Sequence, residues 1–586
     1  MQAPANPDRN AYFGDLHVHT RLSFDAFLFG THATPGDAYR YALGEPIEHA
    51  AGFTVQLDRP LDFYAVTDHS EFLGNMLALT QPDEPLYNHP AAKAFREAKT
   101  VEERRQAFAS IAAYLEPGKA GDLLDLNVVR SAWQTEIEAA EQYNRPGSFT
   151  TFIGYEYTSG PEQQNLHRNI IFRGNAVPDL PYTRLDSMNP EDLWDWLDAQ
   201  RAEGHEALSI PHNSNGSNGQ MFALSQYGGE PLNADYAAQR MRNEPLVEIT
   251  QVKGTSDTHP ILSPNDEWAN FEIMELRIAS DLASKPEGSY VREALRHGIE
   301  LADAEGFNPF QFGVIGSSDT HNAAGSFDEG HFFSKVGNLD ATAELRGSVP
   351  NGAAADGTPT YSDAYYRFWG ASGLAGVWAE ENTRESLFDA MRRKETFATS
   401  GSRMKVRFFA GYDYPDGLVN DPGMIRNAYA GGVPMGADLA PDGERAPRFL
   451  VWALRDPSSQ PLQRLQVIKG WMEEGTSREA VYDVACGNGT APDADTHRCA
   501  DNGASVNLAD CSTSPGVAAD ELLTLWQDPD FTAGQRAFYY VRVLENPSCR
   551  WSTWDAVRAG VAPRPDLETT IQERAWSSPI WYGSAG

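Results

Sequence analysis

The sequence predicts an α/β domain over residues 1–402 followed by an antiparallel β-sandwich over residues 403–586. Two observations predict the first part. Short apolar runs alternate with stretches of three- and four-residue apolar periodicity, and histidines and acids recur at the carboxyl ends of the runs. One observation predicts the second: beyond residue 403, apolar runs follow one another with only Gly, Pro and Asp turns between them. A chain of 586 residues is long enough for both.

The first strand is "AYFGDLHVH" (11–19). In extended chain Asp15, His17 and His19 share one face, and Leu16 and Val18 face the other way. The roots of the two imidazoles then lie about 7 Å apart, near enough to converge on one ion. A second strand, "LDFYAVTDH" (61–69), ends in Asp68 and His69. The stretch "DLLDLNVVRSAWQTEIEAAEQYN" (122–144) has helical periodicity. "FTTFIGYEYT" (149–158) carries Glu156, and "RNIIFRG" (168–174) follows His167. "PEDLWDWLDAQRAEG" (190–204) reads as a helix capped by Asn189 and stopped at Gly204. The strand "EALSIPHN" (206–213) ends in His212, "LVEITQV" (246–252) follows, and "FGVIGSSDTH" (312–321) ends in Asp319 and His321, again two apart. "TRESLFDAMRRKE" (383–395) closes the part with a helix. The sandwich strands are "RMKVRFFAGY", "PRFLVWALRD", "LQRLQVIKGW", "REAVYDVAC" and "QRAFYYVRVLE". In a barrel of parallel strands, polar groups at the carboxyl rim mark catalysis rather than stability.

Composition excludes some functions. Hydrophobic residues make up 41% and charged residues 22%, an ordinary globular mixture. No apolar run reaches the 18 residues of a membrane span. A formal net charge of -35 repels phosphate backbones, so nucleic acid is not the expected partner and a small molecule is. All four cysteines (Cys486, Cys499, Cys511, Cys549) fall in the last fifth of the chain without a C-x-x-C pair. Two disulfides clipping a loop-rich segment fit better than a zinc ribbon, with the pairing open. The start "MQAPANPDRN" lacks a basic and apolar leader and reads as a mature terminus. With the disulfides, that points to a periplasmic or secreted protein.

The acids and imidazoles at strand ends are His17, His19, Asp25, His69, Glu156, His167, His212, Asp319 and His321. Buried together without partners they would cost several kcal/mol each, and several divalent ions would satisfy them all. The mixed imidazole and carboxylate set suits Zn, Mn or Fe. Asp15 and Asp68 read as orienters of imidazoles or as strand caps. Arg168 and Lys253 read as phosphate clamps or as paired charges. His32, His259 and His331 read as structural or exposed, and Trp551 and Trp554 as core rather than a sugar platform.

"DLHVHT", "TDHS" and "SSDTH", in this order, resemble the polymerase-and-histidinol-phosphatase (PHP) superfamily of metal-dependent phosphoesterases, and most of all the group named domain of unknown function 3604. The resemblance runs over nearly the whole chain, including "FATSG" and "RAWSSPIWY". It implies a distorted barrel of seven βα units, with large insertions such as 71–130 and 214–245 shaping the substrate pocket. It also implies two or three divalent ions. His17, His19, Glu156 and Asp319 would hold the first, Glu156, His167 and His212 the second, and Asp25, His69 and His321 the third. Asp25 stands where other members carry a histidine. The implied reaction is hydrolysis of a small phosphomonoester or diester by hydroxide held on the ions, with Glu156 and Asp319 at the reacting centre and Arg168 and Lys253 on the phosphate. "GYEYTSG" does not match G-x-S-x-G, so no covalent nucleophile is expected. The same residues also fit hydrolysis of an amide, lactone or sulfate ester, or a non-catalytic extracellular binding protein with structural ions.

Overall fold

The computed structural model describes residues 5–583. Its principal strands before residue 403 are β1 (Asn10–Asp15), β2 (Phe63–Val66), β3 (Thr150–Ser159), β4 (Leu166–Phe172), β5 (Ala207–Pro211), β6 (Leu246–Gln251), β7 (Gly313–Gly316), β8 (Leu374–Ala379) and β9 (Thr396–Thr399). After it come β10 (Lys405–Gly411), β11 (Arg448–Leu454), β12 (Leu462–Glu473), β13 (Thr476–Cys486), β14 (Glu521–Gln527), β15 (Ala537–Glu545), β16 (Arg574–Ser577) and β17 (Ile580–Tyr582).

One large mixed sheet runs β17-β15-β16-β9-β8-β1-β2-β3-β4-β5, with β12 and β13 added beside β15. β1, β2 and β3 are parallel neighbours, whereas β3, β4 and β5 are antiparallel. This corrects the expectation of a run of parallel βα units. The link between β3 and β4 is six residues long with a short 3-10 turn at Pro161–Gln163, too short for a crossover helix, so the chain must return antiparallel. β6 and β7 are parallel to each other in a separate three-stranded sheet. Close approach of β1 and β2 depends on Gly14, where a Cβ would lie 2.2 Å from Cδ2 of Phe63.

Helices cover this sheet. In α1 (Leu126–Tyr143) the buried residues Val129, Ala132, Trp133, Glu136 and Ala140 recur at three- and four-residue spacing. It begins four residues later than the sequence predicts, because Asp125 caps it by accepting from the Asn127 N–H at 2.9 Å. α2 (Pro190–Ala202) carries the predicted Asn189 cap, which accepts from Glu191 N–H at 2.9 Å. α3 (Val291–Ala304) and α4 (Arg384–Arg392) complete the main helices.

Past residue 403 the long strands pair antiparallel, as predicted, and only the two-residue strand Asp438–Leu439 runs parallel to its neighbour β17. β10, β11 and β14 form a second sheet with the short strand Gly432–Pro434. Phe408, Phe449 and Val451 of this sheet meet Val467, Tyr539 and Val541 of the large sheet in one apolar core. Burying each such side chain is worth roughly 1.5–3 kcal/mol. The predicted boundary at 403 is not a break in the sheet, since β9 pairs with β16 across it. A buried ionic network ties the same two parts. Arg542 donates to both oxygens of Asp266 at 2.8 and 2.7 Å, and Arg292 donates to Asp266 at 2.8 Å and to Asp257 at 3.0 Å. Trp551 is fully buried and stacks on Phe332 with ring centres 4.7 Å apart, as core.

The cysteines form two disulfides, Cys486–Cys499 and Cys511–Cys549. By loop-closure entropy, the second, spanning 38 residues, is expected to contribute about 4 kcal/mol, and the first, spanning 13, about 3 kcal/mol. Denaturant melts of the two paired Cys→Ser variants check that order. Among the described residues, no helix is long and apolar enough to cross a membrane.

Candidate metal centre

The strands stop short of the histidines they were expected to carry. β1 ends at Asp15, and His17 to His19 continue past it in a bridge between Val18 and Thr320. β2 ends at Val66, and His69 bridges to Glu156 in β3. Leaving the ladder frees these side chains to turn toward one point. Asp15 accepts from the N–H groups of Ser318 at 3.0 Å and His17 at 3.1 Å, and Asp68 accepts from Thr20. Both act as caps that lock strand ends together. Asp319 has a φ of +55° and Asn213, beside His212, a φ of +50°. Such left-handed backbone at non-glycine residues costs on the order of 1–3 kcal/mol and persists only where the surroundings impose it.

Glu156 stands at the centre. Its Oε2 lies 3.3 Å from His17 Nε2, 3.2 Å from His19 Nε2 and 3.3 Å from His69 Nδ1. Its Oε1 lies 2.7 Å from His167 Nδ1 and 3.4 Å from His212 Nε2. Asp319 Oδ1 is 3.5 and 3.6 Å from Nε2 of His17 and His19. Asp25 Oδ2 is 3.2 Å from His69 Nε2 and 2.8 Å from His321 Nε2. Asp25 is the most exposed of the nine, at 8%. Four overlapping sets place their ligand atoms within 4.8 Å of one another: His17, His19 and Glu156; Glu156, His167 and His212; His19, His69 and His321; and His17, His212 and Glu248.

These buried groups are able to hold divalent ions, and hydrogen bonding alone does not satisfy them. His19 Nε2 and His212 Nδ1 have no hydrogen-bond partner despite being buried. The short nitrogen-to-oxygen distances around Glu156 therefore include contacts whose angles are wrong for hydrogen bonds but suit atoms converging on a common ion. The electrostatics agree. Burial disfavours charge on His17, but Asp319, Glu248 and Glu156 outweigh it and lift the imidazole to about 10. Burial prevails at His167 and His321 and pushes both down to about 3. Burial also opposes charge on Glu156, yet His69, His167 and His212 hold its carboxyl well below the usual range.

Two residues that the sequence reading does not single out join the cluster. Glu248 in β6 places Oε2 3.1 Å from His17 Nδ1. Its signal was an acid inside the otherwise apolar run "LVEITQV". Lys335 places Nζ 3.2 Å from Asp319 Oδ1 and 2.8 Å from His321 Nδ1. It lies in a loop with no motif around it. Lys253 does reach the centre, where its ammonium pairs with Asp319 Oδ2. Arg168 does not, which corrects its expected place on a phosphate. Next to His167 on β4, it faces the opposite side and donates to Glu244 Oε1 at 2.8 Å. The paired-charge alternative is the arrangement present.

Comparison with curated proteins gave no match. Among solved structures, a two-domain protein from Bacteroides vulgatus, described as containing a predicted PHP-like metal-dependent phosphoesterase, aligns over 82% of this chain and 88% of its own, at 10% identity and a TM-score of 0.31. That likeness is too slight to build on. The family model of DUF3604, described as a protein of unknown function, matches residues 6–584, and the chain belongs to that family.

Proposed function

We propose that the protein is a metal-dependent hydrolase of a small phosphoester. The observation that carries the reading is Glu156, whose two carboxylate oxygens each face a separate set of imidazoles. A carboxylate placed in this way would serve both ligand sets of a two-metal site. In this reading His17, His19, Glu156 and Asp319 would hold one ion, and Glu156, His167 and His212 would hold the other. Asp25, His69 and His321 form a third ligand group. Glu248 orients His17 through Nδ1, the role of a carboxylate behind a ligating histidine. Divalent ions bound here supply Lewis acidity toward a phosphoryl group and acidify water near neutral pH.

The protein's own groups then bind and position. Lys253 steadies Asp319 and offers an ammonium to a phosphate oxygen. Burial of the whole cluster keeps bulk water away and strengthens each charge interaction. The site would lie just past the carboxyl ends of β1, β2 and β7 within residues 1–402, with the 403–586 sandwich beside it. The two disulfides support export to an oxidising compartment.

The test is hydrolysis of a panel of phosphomonoesters and diesters by protein loaded with Mn, Zn or Fe. Activity lost in His17→Ala and Asp319→Ala is the expected result. Hydrolysis confined to amides, lactones or sulfate esters would replace the substrate class. No hydrolysis of any of them by metal-loaded protein would overturn the catalytic reading.

A further inference from the structure

His321, in the third ligand group, differs from His17, His19 and His69 in what stands behind its ring. A ligating histidine ordinarily donates its second ring N–H to an oxygen, which fixes the tautomer and leaves the other nitrogen free for the ion. His17, His19 and His69 conform: their Nδ1 atoms face Glu248 Oε2 at 3.1 Å, Ser23 Oγ at 3.2 Å and Thr158 Oγ1 at 2.6 Å. The nearest neighbour of His321 Nδ1 is instead the Lys335 ammonium at 2.8 Å, closer than the Asp319 carbonyl oxygen at 3.2 Å. An ammonium has donors and no acceptor. It therefore donates to Nδ1, which moves the ring proton to Nε2, and Nε2 points at Asp25 Oδ2 2.8 Å away. The hydrogen bonds form a chain from Lys335 through His321 to Asp25, and it uses the lone pair that an ion would need.

Lys335 is built into this place. Its side chain is 2% exposed, its Nζ also contacts Asp319 Oδ1 at 3.2 Å, and it lies 5.5 Å from the centre of the Trp369 ring. With Lys253 on the other oxygen of Asp319, two ammoniums flank one carboxylate. Together they carry the formal charge of one divalent ion.

We propose that Lys335 is the resident cation of the third ligand group, so that the centre holds two divalent ions and a fixed ammonium rather than three ions. This rests on the metal-dependent reading above. It makes Lys335 a positioning residue that holds Asp319 and sets the tautomer of His321.

The test counts metal and reads the tautomer. Wild-type protein reconstituted with Mn or Zn is expected to hold about two equivalents per chain, the stoichiometry of a two-metal site. Nitrogen-15 NMR of the Zn-loaded protein should show His321 protonated on Nε2. Lys335→Met and Lys335→Gln should each let His321 ligate through Nε2 and raise the count to about three, while His69→Ala in either background returns it to about two. Two different side chains guard against one that fails to fold, checked by circular dichroism. About three equivalents in the wild type, or a His321 proton on Nδ1, would overturn the proposal and leave the hydrolase reading standing. So would an unchanged count in folded variants. No bound metal in the wild type would overturn both.

Discussion

Replacing Glu156 with alanine is expected to abolish ion binding and lower phosphoester hydrolysis by at least about a thousandfold, equivalent to roughly 4 kcal/mol of barrier. Among the described residues, no other carboxylate meets as many imidazoles. Its two oxygens lie within 3.4 Å of five imidazoles, those of His17, His19, His69, His167 and His212. Removing it separates the two ligand sets and leaves buried imidazoles without a counter-charge. Glu156→Gln keeps the shape but loses the charge, and should bind ions far more weakly than wild type. Elemental analysis and turnover measured on the same preparations check both. A Glu156→Ala protein that keeps its metal and its rate would remove Glu156 from the centre.

The largest expected effect on stability lies elsewhere, at Asp266. Its side chain, 1% exposed, is gripped by Arg292 and Arg542, whose side chains are fully buried. Asp266→Ala leaves the buried Arg542 guanidinium without its hydrogen-bonded carboxylate and Arg292 with Asp257 alone, and is expected to cost about 3–5 kcal/mol. The loss should appear as a lower denaturant midpoint with little change in ion content, since none of the three residues touches the histidine cluster. The pH dependence has a definite sign. Burial opposes ionisation of Asp266, but Arg542 and Arg292 outweigh it and hold the carboxyl far below its ordinary range. A depressed carboxyl stabilises the fold above the unfolded-state value of about 4, and that stabilisation is lost as pH falls toward the folded-state value. The gap in stability between wild type and Asp266→Asn should therefore be full near neutrality and shrink below about pH 4. A gap that grew in acid would contradict this account.

The α/β character and most of the cluster are legible in the sequence because both depend on local pattern. Alternation in "DLHVHT" and "SSDTH" is a period-two signal, and it singles out His17, His19, Asp319 and His321, which meet around Asp25 and Glu156. Helix ends were legible where a cap is chemical, as at Asn189. Strand direction was not. An apolar run reads the same in a parallel or antiparallel partnership, and the return of β4 against β3 is decided by the short link at residues 160–165. Arg168 shows the limit of motif context. One residue from His167, it belongs to the opposite face and to Glu244. Glu248 and Lys335 reach the centre from a strand and a loop distant in sequence, and only the tertiary structure places them there. The continuity of the large sheet through residue 403 was hidden for the same reason, because composition changes there while hydrogen bonding does not.

Metal content per chain, measured by elemental analysis of protein purified without chelator or added metal and compared with His17→Ala, tests the central claim most directly. The account predicts about two equivalents of Mn, Zn or Fe in the wild type and a large loss in the variant, as for a two-metal site. Wild-type protein that holds no transition metal, even after reconstitution, would contradict it and leave the buried histidines as core.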